Sequence, residues 1–296
     1  MAVLEAKIRA HLDAIEKSRE RIEEIMKIAQ NSWEWLTERR LRLTASNFGP
    51  VCRRSKLLSV KILVHHLLYT DPTNKTKAME HGSATERTAR EHYEAKHGVT
   101  VRTCGLVLDQ EYPFLAASPD GFLDDDTLLE IKCPTSGVHF DSAEEAVRCK
   151  KLDYLKLDGN GALYPYERSD YNFQIQGQLH ITGRSKCVLY IYQEHVDEAT
   201  GVASKKWDKE ILITRNDKFW AEDMEPHLVQ FYKQALVPEL VCPRANSSKA
   251  SRDKIREAPY VLEAIAARKA LLEEQALARQ NKEGKSSQTK ATARKK

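Results

Sequence analysis

The stretch Ser118-Pro119-Asp120-Gly121-Phe122-Leu123, followed by Thr127-Leu128-Leu129-Glu130-Ile131-Lys132-Cys133-Pro134, decides how this chain is read. Residues 127–132 are a short aliphatic run and predict a strand. Side chains alternate along a strand, so Glu130 and Lys132 share one face while Ile131 points into the core. Asp120-Gly121 is a turn signal that brings a second carboxylate toward the same point. A Glu-x-Lys pair alone usually marks a solvated face. Here Leu128, Leu129 and Ile131 make the strand a buried one, where ionisable groups cost free energy unless they are paired or bind a metal. Two acids and one ammonium in such a place suit phosphodiester hydrolysis. Carboxylate oxygens hold hard divalent cations, which polarise phosphoryl oxygens and acidify water. A lysine orients that water and screens charge in the transition state.

The chain on either side supplies a scaffold. Residues 1–30 place Leu4, Ile8, Leu12, Ile15, Ile22, Ile25 and Met26 at helical spacing, predicting one amphipathic helix that must dock on something. Residues 56–69 read as a buried helix, with Thr44 or Ser46 as a cap for the stretch before it, and residues 75–97 read as a second helix stopped by Gly98. The pattern then shifts to short runs rich in β-branched and aliphatic residues at 99–108, 114–123 and 127–132, with a short helix at 143–151. Asp158-Gly159-Asn160-Gly161 predicts a hairpin between 154–157 and 162–166. A helix capped by Asp170 and closed by Gly183 comes next. Strands at 186–194 and 207–214, a helix from 217 to 236 ending before Pro238, and an Ala- and Leu-rich helix at 258–280 complete the pattern. This order predicts an α/β (α+β) fold, a mixed central sheet flanked by helices with helical extensions at both ends.

Composition excludes several classes. No apolar run approaches the roughly 18 residues of a membrane span, so no membrane partner is expected. The six cysteines at 52, 104, 133, 149, 187 and 242 form no CxxC pair, which argues against structural zinc and a disulfide framework and for reduced thiols in an intracellular, nuclear or cytoplasmic setting. The net charge of +4 is unevenly placed: residues 281–296 hold Lys282, Lys285, Lys290, Arg294, Lys295 and Lys296 against Glu283, a charge of +5 that leaves about −1 for the rest. The body is therefore not a basic block, and its grip on nucleic acid must come from local placement. The polar tail is expected to be disordered.

These residues resemble the PD-(D/E)XK nucleases, with Asp120, Glu130 and Lys132 at the three motif positions. More narrowly the chain resembles the YqaJ-type viral recombinases, the family of the phage lambda exonuclease. Trp35, Arg39 and Thr44-Ala45-Ser46 resemble its W…R…TAS motif, and Gly82 and Glu86 its helical G-x-x-x-E. Ser118-Pro119-Asp120-Gly121, Glu130-Ile131-Lys132-Cys133-Pro134, and Tyr171, Gln174 and Gln176 resemble three further motifs in the family's order. The resemblance implies Mg²⁺ chemistry, with Mn²⁺ as substitute, and metal contacts at Glu86, Asp109, Asp120, Glu130 and Ile131. Asp109 sits about one residue further from Asp120 than the family spacing. DNA or terminal phosphate would be held by Arg39, Ser46, Ser118, Gln174 and Gln176; Arg suits phosphate through its planar fork of donors.

The expected organisation is an N-terminal helix (1–30), a nuclease domain (31–240), a helical extension (241–280) and a basic tail (281–296). The expected function is metal-dependent hydrolysis of DNA, exonucleolytic from duplex ends, with 5′-to-3′ polarity and work in recombination or repair implied by the resemblance. So is a homo-oligomer, since relatives form rings around DNA. An endonuclease of the same chemistry, and a catalytically inactive DNA-binding or adaptor module, are the alternatives the residues leave open.

Overall fold

The computed structural model describes residues 2–71, 76–197, 199–200 and 202–293. Its strands are β1 (Leu43–Thr44), β2 (Val107–Leu108), β3 (Leu115–Ala117), β4 (Gly121–Phe122), β5 (Thr127–Lys132), β6 (Leu155–Leu157), β7 (Leu163–Pro165), β8 (Lys186–Val196) and β9 (Ala203–Thr214). Helices α1 (Ala2–Ile15), α2 (Arg19–Ile25), α3 (Trp33–Arg40), α4 (Phe48–Cys52), α5 (Lys61–Tyr69), α6 (Lys77–His97), α7 (Ala143–Arg148) and α8 (Asp170–Thr182) surround them. A helical run over 217–241 and a long helix, Pro259–Ala293, follow.

The main sheet has the order β4-β5-β8-β9. β5 pairs parallel with β8, Glu130 opposite Leu189, while β4 and β9 pair antiparallel with their neighbours. A smaller sheet, β1-β3-β2, stands beside it, and β6 and β7 form a separate hairpin. The alternation along β5 divides the core as the sequence predicts. Leu129 and Ile131 pack with Ala89 and Tyr93 of α6 and with Tyr190 and Tyr192 of β8. Leu128, on the other face, packs among Phe173, Ile175 and Leu179 of α8. Glu130 lies on this second face too, under α8 rather than in water, and is 1% exposed.

Two glycines allow close approach where the site is built. A Cβ on Gly121 would sit 2.1 Å from Val101 Cγ1, and one on Gly177 would sit 2.5 Å from Phe48 Cδ2. The first lets β4 settle against the loop before β2. The second lets α8 cross α4 closely.

The elements differ from the sequence reading in several places, each for a local reason. The expected helix over 1–30 is two, because the Ser18 hydroxyl accepts the Arg21 N–H and starts α2 afresh. α1 docks internally, with Ile8, Leu12 and Ile15 joining the core and His11 Nε2 3.0 Å from the Tyr232 hydroxyl. The helix expected at 56–69 begins only at Lys61, because the hydroxyls of Ser55 and Ser59 bond the N–H groups of Leu57 and Lys61. Neither Thr44 nor Ser46 makes a side-chain cap. Residues 99–108 form a strand only at Val107–Leu108, with an isolated bridge from Arg102 to Phe122. The cap of α8 is Ser169, whose hydroxyl accepts the Asn172 N–H, while Gly183 closes the helix at φ +71° as expected. Pro238 does not stop the 217–241 run; it falls just after the π-helical turn Tyr232–Leu236, which accommodates a residue without an N–H. The last helix continues to Ala293 rather than ending near 280, and no proline interrupts it. Lys75 and residues 294–296, and the side chains from 279 on, lie outside the described residues. Among the described residues no helix is long and apolar enough to cross a membrane.

Candidate active site

β4, β5, α6 and α8 converge on one cleft of about 910 Å³. Its floor holds Glu86, Asp120, Glu130 and Lys132, and Gln174 lines its wall. Lys132 Nζ stands 2.5 Å from Glu130 Oε1, and Asp120 Oδ2 accepts the main-chain N–H of Ile131 at 2.6 Å. α8 adds two amides: Gln174 Nε2 donates to Glu130 Oε1 at 2.6 Å and Gln178 Nε2 to Glu130 Oε2 at 2.8 Å. Glu130 is thus held by three donors on two oxygens, which meets the cost of burying its charge.

The charges are strongly interdependent. Burial raises the Asp120 pKa well above the usual carboxylate range, and the negative charges of Glu130 and Glu86 add to the rise. Burial alone would lower Lys132, but Glu130 and Asp120 outweigh it and keep the ammonium firmly protonated. The Tyr171 ring stacks against the same ammonium, its centroid 4.7 Å from Nζ. Burial and then the nearby acids push the Cys133 thiol up to about 12, so it stays neutral at the edge of the site.

The expected phosphate residues divide into two groups. Arg39 Nη2 donates to Thr44 Oγ1 at 3.2 Å and Ser46 Oγ at 3.3 Å, with its guanidinium 4.3 Å from the Trp35 ring centroid. Trp35 Nε1 in turn donates to Ser118 Oγ at 3.2 Å, two residues before Asp120. Arg39, Ser46 and Ser118 therefore form one cluster joined through Trp35, and none of the three lines the cleft. Desolvation pushes the Arg39 pKa down to about 10, which leaves it a cation at neutral pH held by hydroxyls. Gln174 instead belongs to the Glu130 wall.

Gln176 and Asp109 belong to neither group, contrary to expectation. Gln176 donates to Thr214 O at 2.9 Å and accepts the Asn216 N–H at 2.8 Å, so both ends of its amide tie α8 to the chain after β9. Residues 174, 176 and 178 cannot share one face of a helix, since residues two apart point to different sides. Asp109 Oδ1 accepts the N–H groups of Glu111 and Tyr112, a turn between β2 and β3, and Asp109 does not line the cleft. Ile131 offers no side-chain donor; its side chain packs in the core, and any ligand there is its main-chain carbonyl. The sequence reading passed over Gln178. Its position four residues after Gln174, hence on the same face, was the signal available.

Whether these residues suit a divalent cation follows from the donor set. Among the described residues no three His, Cys, Asp or Glu side chains close around a common point. The two carboxylates Asp120 and Glu130 do share one, and Mg²⁺ is commonly held by one or two carboxylates while it keeps several waters. The donors are oxygen, the neighbouring thiol is neutral, and a cation would relieve the mutual repulsion that burdens Asp120. The residues fit a hard divalent metal.

A mixed sheet flanked by helices, with Asp120, Glu130 and Lys132 at its heart, places the fold in the PD-(D/E)XK class of nucleases. The sequence model of the YqaJ-like viral recombinase domain matches residues 34–185, just over half of the chain, and the chain belongs to that family. Among solved structures it is similar to the alkaline exonuclease LHK-Exo from Laribacter hongkongensis, with 25% identity and a TM-score of 0.52 over 71% of this chain and 94% of that one. Among curated proteins it is 28% identical over 178 residues to the uncharacterized protein R354 of Acanthamoeba polyphaga mimivirus. That match takes in 56% of this chain but only 29% of the viral protein, so the chain spans less than a third of that relative's length.

Proposed function

We propose that this chain is a metal-dependent deoxyribonuclease that degrades DNA from duplex ends, in the 5′-to-3′ direction, in recombination or repair. The observation that carries the reading is the grouping of Asp120, Glu130 and Lys132 on the floor of an open cleft, with Glu130 fixed by Gln174 and Gln178. Family membership and likeness to an alkaline exonuclease support it.

Asp120 and Glu130 would hold Mg²⁺, with Mn²⁺ as substitute, and Glu86 would contact it directly or through water. The metal would polarise the scissile phosphate and acidify a water molecule. The protein's own residues set the geometry for that chemistry. The Ile131 N–H and the two α8 amides fix the carboxylates, so little reorganisation remains at the moment of reaction. Lys132, kept cationic by its two acids, stabilises negative charge gathering on the phosphate and orients the attacking water. Arg39, stacked on Trp35 and bonded to the Thr44 and Ser46 hydroxyls, with Ser118 two residues before Asp120 on the other side of Trp35, would meet a terminal 5′ phosphate.

Incubation with linear and closed-circular duplex DNA, each with Mg²⁺ and with EDTA, tests the reading. Loss of linear DNA alone, only with Mg²⁺, is the expected result. Cutting of the closed circle would make the chain an endonuclease, and activity undiminished in EDTA would end the metal-dependent reading.

A further inference from the structure

The β6–β7 hairpin rises beside the cleft with two chemically distinct faces. Leu155 and Leu163 are buried beneath it, while Lys156, Tyr164 and Tyr166 share the outward face. Tyr164 is 46% and Tyr166 42% exposed. Lys156 pairs with Tyr164 across the ladder, and its ammonium stands 4.8 Å from the Tyr166 ring centroid. Lys156, Tyr166 and the exposed Lys151 line the same cleft as Asp120 and Glu130. Of the acids that line the cleft on this side, Asp170 is paired with Arg53 and Asp153 faces the two lysines, while Glu167 is exposed beside Tyr166.

The hairpin is also firmly set. The Asp158 carboxylate accepts the N–H groups of Asn160 and Ala162, each at 2.8 Å, and closes the tip. At the base the Tyr166 N–H bonds Tyr154 O at 2.8 Å. Tyr154 packs edge-on against Tyr171 with centroids 4.5 Å apart, and Tyr171 in turn lies against Lys132. The exposed aromatics are therefore held in register with the catalytic lysine.

Rigid, exposed aromatic rings interleaved with lysines and continuous with a nuclease cleft match the way single-stranded nucleic acid is gripped, by stacking of bases and attraction of phosphates. We propose that the outward face of this hairpin, Tyr164 and Tyr166 with Lys156, is a stacking platform for unpaired bases of the DNA strand that passes through the cleft. Bases within a duplex have no free face to offer, so the strand leaves its complement before it reaches the tyrosines. The proposal rests on the nuclease reading for the path of the strand, but its test does not require cleavage.

The test is binding of a fluorescein-labelled single-stranded oligonucleotide in EDTA, measured by anisotropy, against an abasic strand of equal length. The double variant Tyr164→Ala/Tyr166→Ala should bind the base-containing strand at least about 30-fold more weakly, the size of two lost stacks. Its affinity for the abasic strand should be unchanged, and Tyr164→Phe/Tyr166→Phe should bind as the wild type does. An equal loss on both strands, no loss on either, or a wild type that does not distinguish them would overturn the platform. A wild type that binds as expected yet leaves linear duplex intact with Mg²⁺ would sink the nuclease reading instead.

Discussion

Gln178 donates to Oε2 of Glu130, the more deeply buried of its oxygens, at 2.8 Å, one helical turn beyond the contact that Gln174 makes with Oε1. Glu130 is 1% exposed, so this bond is not exchanged for water when it is lost. Gln178→Leu should therefore destabilise the fold by about 1–3 kcal/mol, the cost of stripping a hydrogen bond from a buried charged group. Urea unfolding of the metal-free protein measures it; a change below about 0.5 kcal/mol would show that Glu130 does not depend on this amide.

The floor of the cleft makes a different prediction. Asp120→Ala, Glu130→Ala and Lys132→Ala should each lower the cleavage rate on the order of 10² or more, with DNA binding in Ca²⁺ retained. Release of acid-soluble nucleotide gives the rate, and anisotropy gives the binding. Three variants at wild-type rates would remove the site from the reaction.

Arg39→Ala should act on the end of the substrate. Its guanidinium bonds two hydroxyls and stacks on Trp35, so a terminal phosphate would meet an oriented cation. The wild type should prefer 5′-phosphorylated linear duplex over the dephosphorylated form, and the variant should lose that preference. Equal losses on both substrates would assign Arg39 a general role.

Away from the cleft, Lys96 offers a pH-dependent contribution to stability. Its ammonium lies 2.6 Å from Asp208 Oδ2 and 2.7 Å from Glu210 Oε1. Burial alone would raise both carboxyls, but bonds from Lys205 and Lys96 hold Asp208 below its ordinary pKa, and bonds from Lys96 and His97 do the same for Glu210. An acid whose pKa is lowered by folding stabilises the native state above its unfolded pKa, and that stability is lost as pH falls through the folded value. Lys96→Met should then cost about 0.5–1 kcal/mol at pH 7, modest because the lysine is largely in water. The difference from wild type should shrink below about pH 4. Urea midpoints at several pH values check it, and a constant difference would mean that the loss is one of packing.

Much of this was legible in the sequence because β5 carries its own instructions. Leu128, Glu130 and Lys132 on one face and Leu129 and Ile131 on the other follow from strand alternation alone, and Gly183 and Gly98 announce their helix ends. The family followed from five motifs in order. What was illegible depends on partners far along the chain. Whether Gln174, Gln176 or Gln178 reaches the site depends on how α8 is rotated against β5, which the close Gly177–Phe48 approach sets and the spacing of glutamines alone does not. Asp109 is an acid at a suggestive distance from Asp120, yet a local turn claims its oxygens. The breaks at Ser18 and before Lys61 reflect hydroxyls that compete with the helix for N–H groups, a contest that apolar periodicity does not register.

The parallel pairing of β5 with β8 also sets the order in which the cleft can be assembled. Residue 127 must find residue 186, and no hairpin can make that connection, because parallel neighbours need a long crossover. Such distant pairing is slow relative to local helix formation. During synthesis the chain emerges with Glu86, Asp120, Glu130 and Lys132 already made, but α8 and β8 are still to come. Glu130 gains its amide donors only when α8 has been made, and the neighbouring strand that buries it only when the chain has reached Ile191. On the proposed function, the cleft is therefore complete only once α8 and β8 have joined β5.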